Sequence, residues 1–248
     1  MLYIIEENKG YAATLGTCSA DPYFCSLAAS YTSFTNWHGV THPSQPNYFA
    51  LTSGSTQGCT SDSCGPFSGP SLGQQLSAAG VPWAAWIESM PSACSKTFVV
   101  KHNPFVSSTA VTDCATHDTP YPGVAGAVAA LDGSTAPSFV WITPNLTNDM
   151  HDGSVQQGDA WLKTNLAPIL ASSWFTNFNS TVVVGMDEGD AGSTNQIPTV
   201  VISNNAKGKG ANTLSGGNYG LLRAFEESFG LSLLGAAATA PDPFGSFG

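Results

Sequence analysis

The sequence predicts an α/β fold in which a mostly parallel sheet is sandwiched by helices. Short apolar runs alternate along the chain with segments of helical spacing, which is the order that parallel sheets require. The apolar runs are continuous, as expected of strands that are buried on both faces. A chain of 248 residues is long enough for one large α/β domain or two small ones, and we expect a single domain over residues 1–248.

These patterns predict the elements in chain order. Five apolar runs are predicted to be strands, at residues 2–5, 81–87, 139–143, 181–186 and 197–202. Apolar residues at helical spacing predict helices at residues 71–80, 159–172 and 219–229, and a helix or turn at 27–30. The connecting segments predict a loop that carries Cys18 and Cys25, a surface loop over 52–71, a long excursion over the site at 91–122, and a polar loop at 144–152.

Charge limits the classes of function that the chain can have. There are 17 acidic residues, six Lys and a single Arg, for a net charge of −10. This balance excludes the basic surface of a nucleic-acid-binding protein and argues against binding to anionic membranes. No apolar stretch approaches the roughly 20 residues that span a bilayer, so we expect no integral membrane segment. A phosphate site would draw its positive charge from a metal ion, backbone amides, Lys and His.

The cysteines indicate an oxidising compartment. They fall into three close pairs: Cys18 with Cys25, Cys59 with Cys64, and Cys94 with Cys114. Other pairings are possible, and zinc is an alternative, although no C-x-x-C spacing supports it. We expect neighbouring disulfides in a secreted or extracellular protein. The first apolar residues are too few for a signal peptide, so we expect any export signal to have been removed or to lie outside this sequence.

One hydroxyl stands out because of its surroundings. Ser44 lies between Pro43 and Pro46, just before an apolar run. Proline suits the first turn of a helix, and serine is a preferred N-cap, so Ser44 could simply cap a structural helix. The alternative is a nucleophile, because the positive end of a helix dipole favours an anion such as a phosphoryl group. The choice depends on whether the chain supplies a metal ion or a base.

Acidic and amide side chains follow two predicted strands directly. Glu7 and Asn8 come after the first strand, and Asp187 and Glu188 come after the fourth. Open α/β sheets place their sites at the carboxyl ends of strands, and oxygen-rich sets of this kind suit a divalent cation. Asp-Glu-Gly after a strand is also typical of a solvated turn. A cation here would lower the pKa of the Ser44 hydroxyl and neutralise a phosphoryl oxygen.

Two histidines lie in loops that could face this site. His102 and His151 could each protonate a leaving group or hydrogen-bond a phosphate oxygen, since imidazole titrates near neutral pH. The alternative for both is an ordinary loop histidine. His42 could orient the Ser44 loop or merely pack against it.

Seven motifs occur in an order that resembles a known family. They are ENKGY at 7–11, THPSQPNY at 41–48, SGST at 53–56, KHNPF at 101–105, TPNLTNDMHD at 143–152, GDAWL at 158–162 and DEGD at 187–190. Together they resemble the bacterial phosphoesterase family of secreted acid phosphatases and phospholipases C, within the alkaline phosphatase superfamily. The resemblance runs from about residue 4 to residue 229.

This resemblance implies an alkaline-phosphatase-like core and a metal-dependent phosphoric ester hydrolase with a phosphoserine intermediate. It implies that Ser44 is the nucleophile and that His102 and His151 surround the phosphate. One divalent ion (Mg, Ca, Mn or Zn) is expected on Ser44 and four further ligands: Glu7, Asn8, Asp187 and Glu188. The expected substrate contacts are Lys9, His42, Asn47 and Asn218.

Two positions depart from the family pattern. Asn218 stands where the family commonly has histidine, and Lys9 where it often has histidine. Asparagine can offer an oxygen but cannot shuttle a proton near neutral pH, so a second metal ion or one phosphate contact is in doubt. Lys9 could instead serve as a cationic phosphate contact.

The sequence therefore predicts an acid phosphatase-like phosphomonoesterase that acts on a small-molecule phosphate ester. Three alternatives remain open. The substrate could be a diester, as in a phospholipase C, or a sulfate ester. The chain could also be a catalytically silent module that binds phosphate or metal.

Overall fold

The computed structural model describes residues 1–205 and 209–245, and an eight-stranded sheet forms its centre. The strands are β1 (Leu2–Glu6), β2 (Thr32–Phe34), β3 (Trp37–His38), β4 (Trp83–Ile87), β5 (Asp118–Pro120), β6 (Phe139–Thr143), β7 (Thr181–Met186), β8 (Thr199–Ser203), β9 (Gly210–Asn212) and β10 (Gly216–Gly217). The order in the large sheet is β5-β4-β6-β1-β7-β8-β2-β9, and β10 pairs with β3 separately. All neighbours in the large sheet are parallel except β8, which is antiparallel to both β7 and β2.

Helices cover both faces of this sheet. They are α1 (Pro22–Ser30), α2 (Ser44–Ser53), α3 (Leu72–Ala78), α4 (Pro104–Ser107), α5 (Cys114–His117), α6 (Gly123–Leu131), α7 (Val155–Leu170), α8 (Ser173–Asn177) and α9 (Asn218–Ser228). Short 3-10 helices occur at Tyr11–Ala13, Val100–His102 and Gly235–Thr239.

The strand side chains divide the interior into two apolar cores. In β1, Tyr3 and Ile5 pack with α2, α3, α4 and α9 on one face, and Leu2 and Ile4 pack with α1, α6, α7 and α8 on the other. Successive strand residues point to opposite faces, so a strand that is buried on both sides is apolar throughout. The prediction of a mostly parallel sheet sandwiched by helices is confirmed.

The predicted strands are all present: β6 and β7 have the predicted bounds, and the ends of β1, β4 and β8 differ by one or two residues. The helices agree less closely. α1 begins at Pro22, so Cys25 lies in a helix rather than in the predicted loop. α7 begins at Val155, four positions before the predicted start, because Ser154 and Gln157 form a capping box. α6 and the short strands β2 and β3 were not predicted.

The prediction of a long excursion at 91–122 is wrong in part. This segment contains a 3-10 helix, α4, α5 and the edge strand β5. Phe105, Val106 and Val111 are buried in the larger core, so most of the segment is packed structure. It does deliver His102 to the carboxyl edge of the sheet, as described below.

All three neighbouring disulfides are present, as predicted: Cys18–Cys25, Cys59–Cys64 and Cys94–Cys114. Among the described residues, no helix has both the length and the apolar character that a bilayer crossing needs.

Candidate active site

The carboxyl ends of three neighbouring strands meet at one edge of the sheet. β6, β1 and β7 lie side by side and run parallel. The amide of Glu7 donates to the carbonyl of Asp149 at 2.7 Å, which joins the ends of β1 and β6. The amide of Asp187 donates to the carbonyl of Glu6 at 3.1 Å, which joins β7 to β1. At Asn8 the backbone is left-handed (φ 51°), and its amide lies 3.3 Å from Asp187 Oδ1.

The hydroxyl of Ser44 points into this edge. Ser44 is the first residue of α2 and is 1% exposed. Its Oγ lies 2.9 Å from Glu7 Oε2, 2.9 Å from Glu188 Oε1 and 3.1 Å from Asn8 Oδ1. The N-cap of the helix is Pro43, and no side chain caps it. The interpretation of Ser44 as a capping serine is therefore wrong, because its hydroxyl faces the strand ends.

The oxygens around Ser44 fit a cation. One hydroxyl proton can serve only one of the three neighbouring oxygens at a time. In octahedral coordination each oxygen lies about 2.1 Å from Mg²⁺, and two neighbouring oxygens at right angles therefore lie about 3.0 Å from each other. The separations here are 2.9–3.1 Å. Asp187 Oδ2 is buried without a hydrogen-bond partner and is therefore available to an ion. The residues that could hold the ion are Glu7, Asn8, Ser44, Asp187 and Glu188.

The side-chain amide of Asn8 can take two orientations that differ in whether its oxygen or its nitrogen faces these oxygens. With Oδ1 inward it adds one more oxygen to the set. Turned over, its Nδ2 would donate to Glu7 Oε2 at 3.0 Å and to Glu188 Oε1 at 2.9 Å. A bound cation favours the first orientation and an empty site favours the second, so Asn8 suits both states.

The carboxyls of this edge repel one another. Burial, together with the charges of Glu7 and Glu188, raises the pKa of Asp187 well above its ordinary value. Burial also raises the pKa of Glu188, against the contacts of that residue with Ser44 and His42. Burial acts to raise the pKa of Glu7 as well, but the charge of a neighbouring histidine lowers it overall. A divalent cation would relieve the repulsion that remains.

That histidine is His102, which is 1% exposed. Its Nε2 lies 2.9 Å from Glu7 Oε1, and its Nδ1 lies 3.2 Å from Asp149 Oδ2. Its ring stacks on Tyr48 at a centroid distance of 5.2 Å. Burial acts to lower the pKa of His102, but the two carboxylates raise it to about 10. This pKa favours the protonated ring, in which His102 forms an ion pair with Glu7.

His151 packs edge-on against His102, with ring centroids 5.3 Å apart. Its Nδ1 lies 2.7 Å from Asp152 Oδ1, and its Nε2 lies 2.7 Å from the ammonium of Lys101. Because an ammonium can only donate, Nε2 accepts and the ring proton sits on Nδ1. Ligand atoms of Glu7, His102 and His151 all lie within 4.8 Å of one another and form a second group that could hold a metal ion.

Three of the four residues that were expected to contact the substrate, His42, Asn218 and Lys9, differ from one another in what they contact. His42 Nδ1 contacts Glu188 Oε2, so it reaches the oxygen set from outside. Asn218 is fully buried and donates from Nδ2 to the carbonyl of Asp187 at 2.8 Å, while its Oδ1 has no partner. Lys9 is half-buried and contacts no acidic side chain within the described ranges.

Asn47 is the fourth residue that was expected to contact the substrate, and its side-chain amide hydrogen-bonds to backbone groups instead. Its Oδ1 accepts from the amides of Val40 and Thr41 at 2.9 and 3.1 Å. Its Nδ2 donates to the carbonyls of Thr41 and Pro43 at 2.9 and 3.1 Å. This side chain braces the loop that presents Ser44.

Several residues of the site were not singled out from the sequence. Tyr48, Lys101 and Asp149 all lie inside the quoted motifs, beside residues that were chosen, but spacing alone did not distinguish them. Asp62 lies outside every motif. Its Oδ1 accepts from the amide of Gln45 at 3.0 Å and its Oδ2 lies 3.3 Å from Lys101 Nζ.

The profile of the phosphoesterase family matches residues 7–232. The chain is 35% identical to a phosphatidylinositol-3-phosphatase of Mycobacterium tuberculosis over 97% of its own length and 80% of that protein. The chain belongs to the phosphoesterase family. It is a phosphoric ester hydrolase, as the sequence predicted.

Two further comparisons, one of sequence and one of structure, relate this phosphoesterase to more distant proteins. It is 28% identical to an acid phosphatase of Aspergillus fumigatus over 88% of its own length, and it spans 52% of that protein. Its fold matches a protein of the alkaline phosphatase superfamily from Vibrio parahaemolyticus with a TM-score of 0.68 and 12% identity, over 96% of this chain and 69% of the other. The predicted alkaline-phosphatase-like core of the phosphoesterase is confirmed.

Proposed function

We propose that the phosphoesterase is a metal-dependent phosphomonoesterase that acts through a phosphoserine at Ser44. The observation that carries this proposal is the position of Ser44 Oγ, within 3.1 Å of oxygens from Glu7, Asn8 and Glu188. A divalent cation held by this set would lower the pKa of the hydroxyl and neutralise a phosphoryl oxygen.

The first half-reaction is an in-line displacement at phosphorus. Ser44 Oγ passes its proton to the neighbouring carboxylate of Glu7 or Glu188 and forms a bond to phosphorus, while the bond to the leaving oxygen breaks. We assign protonation of the leaving oxygen to His151, which is half-buried; for this step its Nε2 carries a proton and turns from the Lys101 ammonium to the leaving oxygen. His102 is enclosed between Glu7 and Asp149, and its pKa of about 10 makes it a poor proton donor near neutral pH. Its role is to position Glu7.

The second half-reaction reverses these roles. A water molecule takes the place of the departed alcohol and attacks the phosphoserine, and His151 accepts its proton. The bond between phosphorus and Ser44 Oγ breaks, Oγ takes its proton back from the carboxylate that held it, and inorganic phosphate leaves. Glu7 and Glu188 flank Ser44 and keep the hydroxyl in line in both steps.

The substrate class and setting follow from the relatives and the disulfides. The Mycobacterium and Aspergillus relatives are both named as phosphatases, which remove phosphate groups. We therefore assign a small-molecule phosphate monoester as the substrate. Three disulfides favour an oxidising environment, so we place the enzyme outside the cytoplasm.

The experiment starts from protein stripped with a chelator and reloaded with Mg²⁺, Ca²⁺, Mn²⁺ or Zn²⁺ in turn. Hydrolysis of nitrophenyl phosphate is compared with that of the matching diester and sulfate. We expect activity to return with one of these ions and to be highest on the monoester. Acid quenching during turnover should trap one phosphoryl group on the peptide that contains Ser44. Full activity of the stripped enzyme, or a phosphoryl group on a different residue, would contradict the proposal.

A further inference from the structure

The Lys101 side chain is held in place beside His151, one of the histidines of the candidate site. Its ammonium lies 2.7 Å from His151 Nε2 and 3.3 Å from Asp62 Oδ2, and its side chain is 21% exposed. A solvated lysine would move freely, whereas this one is held by an acceptor on each side. Ordering the long side chain of a lysine costs conformational entropy, so a fixed lysine indicates contacts that offset this cost.

Two independent routes connect this ammonium to the start of α2. One passes from His151 through the ring of His102 to Glu7, whose Oε2 lies 2.9 Å from Ser44 Oγ. The other passes through Asp62, whose Oδ1 accepts from the amide of Gln45, the residue after Ser44. Both routes return to neighbouring residues, Ser44 and Gln45, so the ammonium is linked twice to the start of α2.

Positive charge is otherwise scarce in this molecule. The sequence has six lysines and one arginine. Arg223 is committed to Glu227 and to the carbonyl of Ala240. Within the parts of the chain that the structure describes, Lys101 is the lysine that contacts a histidine of the site. Lys101 is therefore one of the few positive charges near the acidic edge, together with Lys9 and His102.

We propose that Lys101 binds the phosphoryl group and makes the enzyme selective for dianionic phosphate monoesters over monoanionic diesters. This inference rests on the proposed function. A monoester near pH 8 carries about two negative charges, because its second pKa is about 6. A diester carries only one charge and places an alkyl group where a monoester has an oxygen. An ammonium aimed at that oxygen stabilises the monoester and gains little from the diester.

Asp62 is the positioning residue for this contact. It lies in the loop that the Cys59–Cys64 disulfide closes, and it holds both Lys101 and the amide of Gln45. Its carboxylate keeps the ammonium at the rim of the site when no substrate is bound. Replacing it by asparagine keeps an acceptor for the Gln45 amide and removes the charge that holds Lys101.

The test compares Lys101→Met, Lys101→Arg and Asp62→Asn in metal-loaded enzyme near pH 8. Lys96→Met is the matched control, because Lys96 is an exposed lysine of the same segment. The measurements are kcat and KM on nitrophenyl phosphate and on its diester, and the inhibition constant of inorganic phosphate. For Lys101→Met we expect kcat/KM on the monoester to fall about 10- to 100-fold, the range for a lost charged hydrogen bond. The phosphate inhibition constant should rise in parallel, and diester turnover should fall less than about threefold.

The other variants sharpen the result. Lys101→Arg should restore part of the monoester activity, Asp62→Asn should raise the monoester KM more than it lowers kcat, and Lys96→Met should match the wild type. Equal losses on monoester and diester, or an unchanged inhibition constant for phosphate, would overturn the role of Lys101 while leaving the hydrolase intact. A wild-type enzyme that is inactive on both esters would instead refute the proposed function. Unfolding midpoints of all variants show whether each one is folded.

Discussion

Replacing Ser44 by alanine separates catalysis from folding more sharply than any other single change. α2 carries a second buried serine, Ser53, at its opposite end, and the Oγ of that residue donates to the carbonyl of Phe49 at 2.7 Å. Ser53→Ala therefore removes the same atom from the same helix without touching the strand ends. The two variants form a matched pair.

The magnitudes follow from what each hydroxyl contacts. Ser44 Oγ donates one hydrogen bond to a carboxylate, so its removal costs about 1–3 kcal/mol of unfolding free energy. Ser53→Ala loses one donated hydrogen bond, to the carbonyl of Phe49 or Ser55, and one accepted from Gln57 Nε2; each is neutral and worth about 1 kcal/mol. Loss of the nucleophile is expected to lower kcat by at least about 1000-fold, equivalent to about 4 kcal/mol of activation free energy. The two proteins thus differ little in stability and greatly in turnover.

The assay is turnover of nitrophenyl phosphate by metal-loaded enzyme, with unfolding in denaturant measured on the same samples. We expect Ser53→Ala to keep at least about half of the wild-type kcat and to show a burst of nitrophenol. Ser44→Ala should show neither burst nor turnover. If Ser44→Ala stays within tenfold of the wild type, the nucleophile lies elsewhere and the assignment fails. If both variants lose activity equally, the effect belongs to α2 and not to the hydroxyl.

Three further changes test the rest of the structure. Asp187→Asn should weaken cation binding by more than the roughly 10- to 100-fold that is typical when a residue that only supports a metal ligand is changed. Cation affinity is measured by calorimetry on chelator-stripped protein, and equal affinity of variant and wild type would exclude Asp187 as a ligand. Burial raises the pKa of Asp118 to about 7, so the wild type should lose stability as pH rises from about 4 to 7, by up to about 1.4 kcal/mol per unit. Asp118→Asn should reduce that decline in urea titrations, and an equally steep decline in this variant would exclude Asp118 as a source of it. Gly54 has φ 68°, and an added Cβ would lie 2.0 Å from a backbone carbonyl oxygen, whereas Gly58 has φ 72° and open space. Gly54→Ala should therefore lower the unfolding midpoint well beyond the cost of about 1–2 kcal/mol expected for Gly58→Ala, and equal midpoints would contradict this packing.

The location of the site could be predicted because parallel strands impose it. Glu7 and Asp187 follow buried strands, and the carboxyl ends of parallel strands share one edge wherever they lie in the sequence. Apolar runs of five or six residues also identify the strands themselves, since burial on both faces leaves no polar positions. The position of Ser44 at a helix start followed from the flanking prolines.

The finer structure of the site could not be predicted, because it depends on contacts that leave no local pattern. Lys101 and Asp62 meet across 39 positions, and nothing in either segment indicates the other. α6 is rich in alanine and valine and lacks a clear polar face, so spacing did not reveal it. The 91–122 segment was predicted to be a loop because its Ser, Thr and Pro content conceals elements of only three or four residues.

The central strand pair links the reaction to the fold. Asn8 and Asp187, which are 179 positions apart, meet only after β1 has paired with β7. A cation held at that junction binds the folded chain and not the unfolded one, so it adds stability in proportion to the logarithm of its concentration. Burial and the charges of Glu7 and Glu188 raise the pKa of Asp187, so ionised Asp187 opposes the same pairing, and a cation would relieve this repulsion. The charge that would activate Ser44 would therefore also stabilise this strand junction.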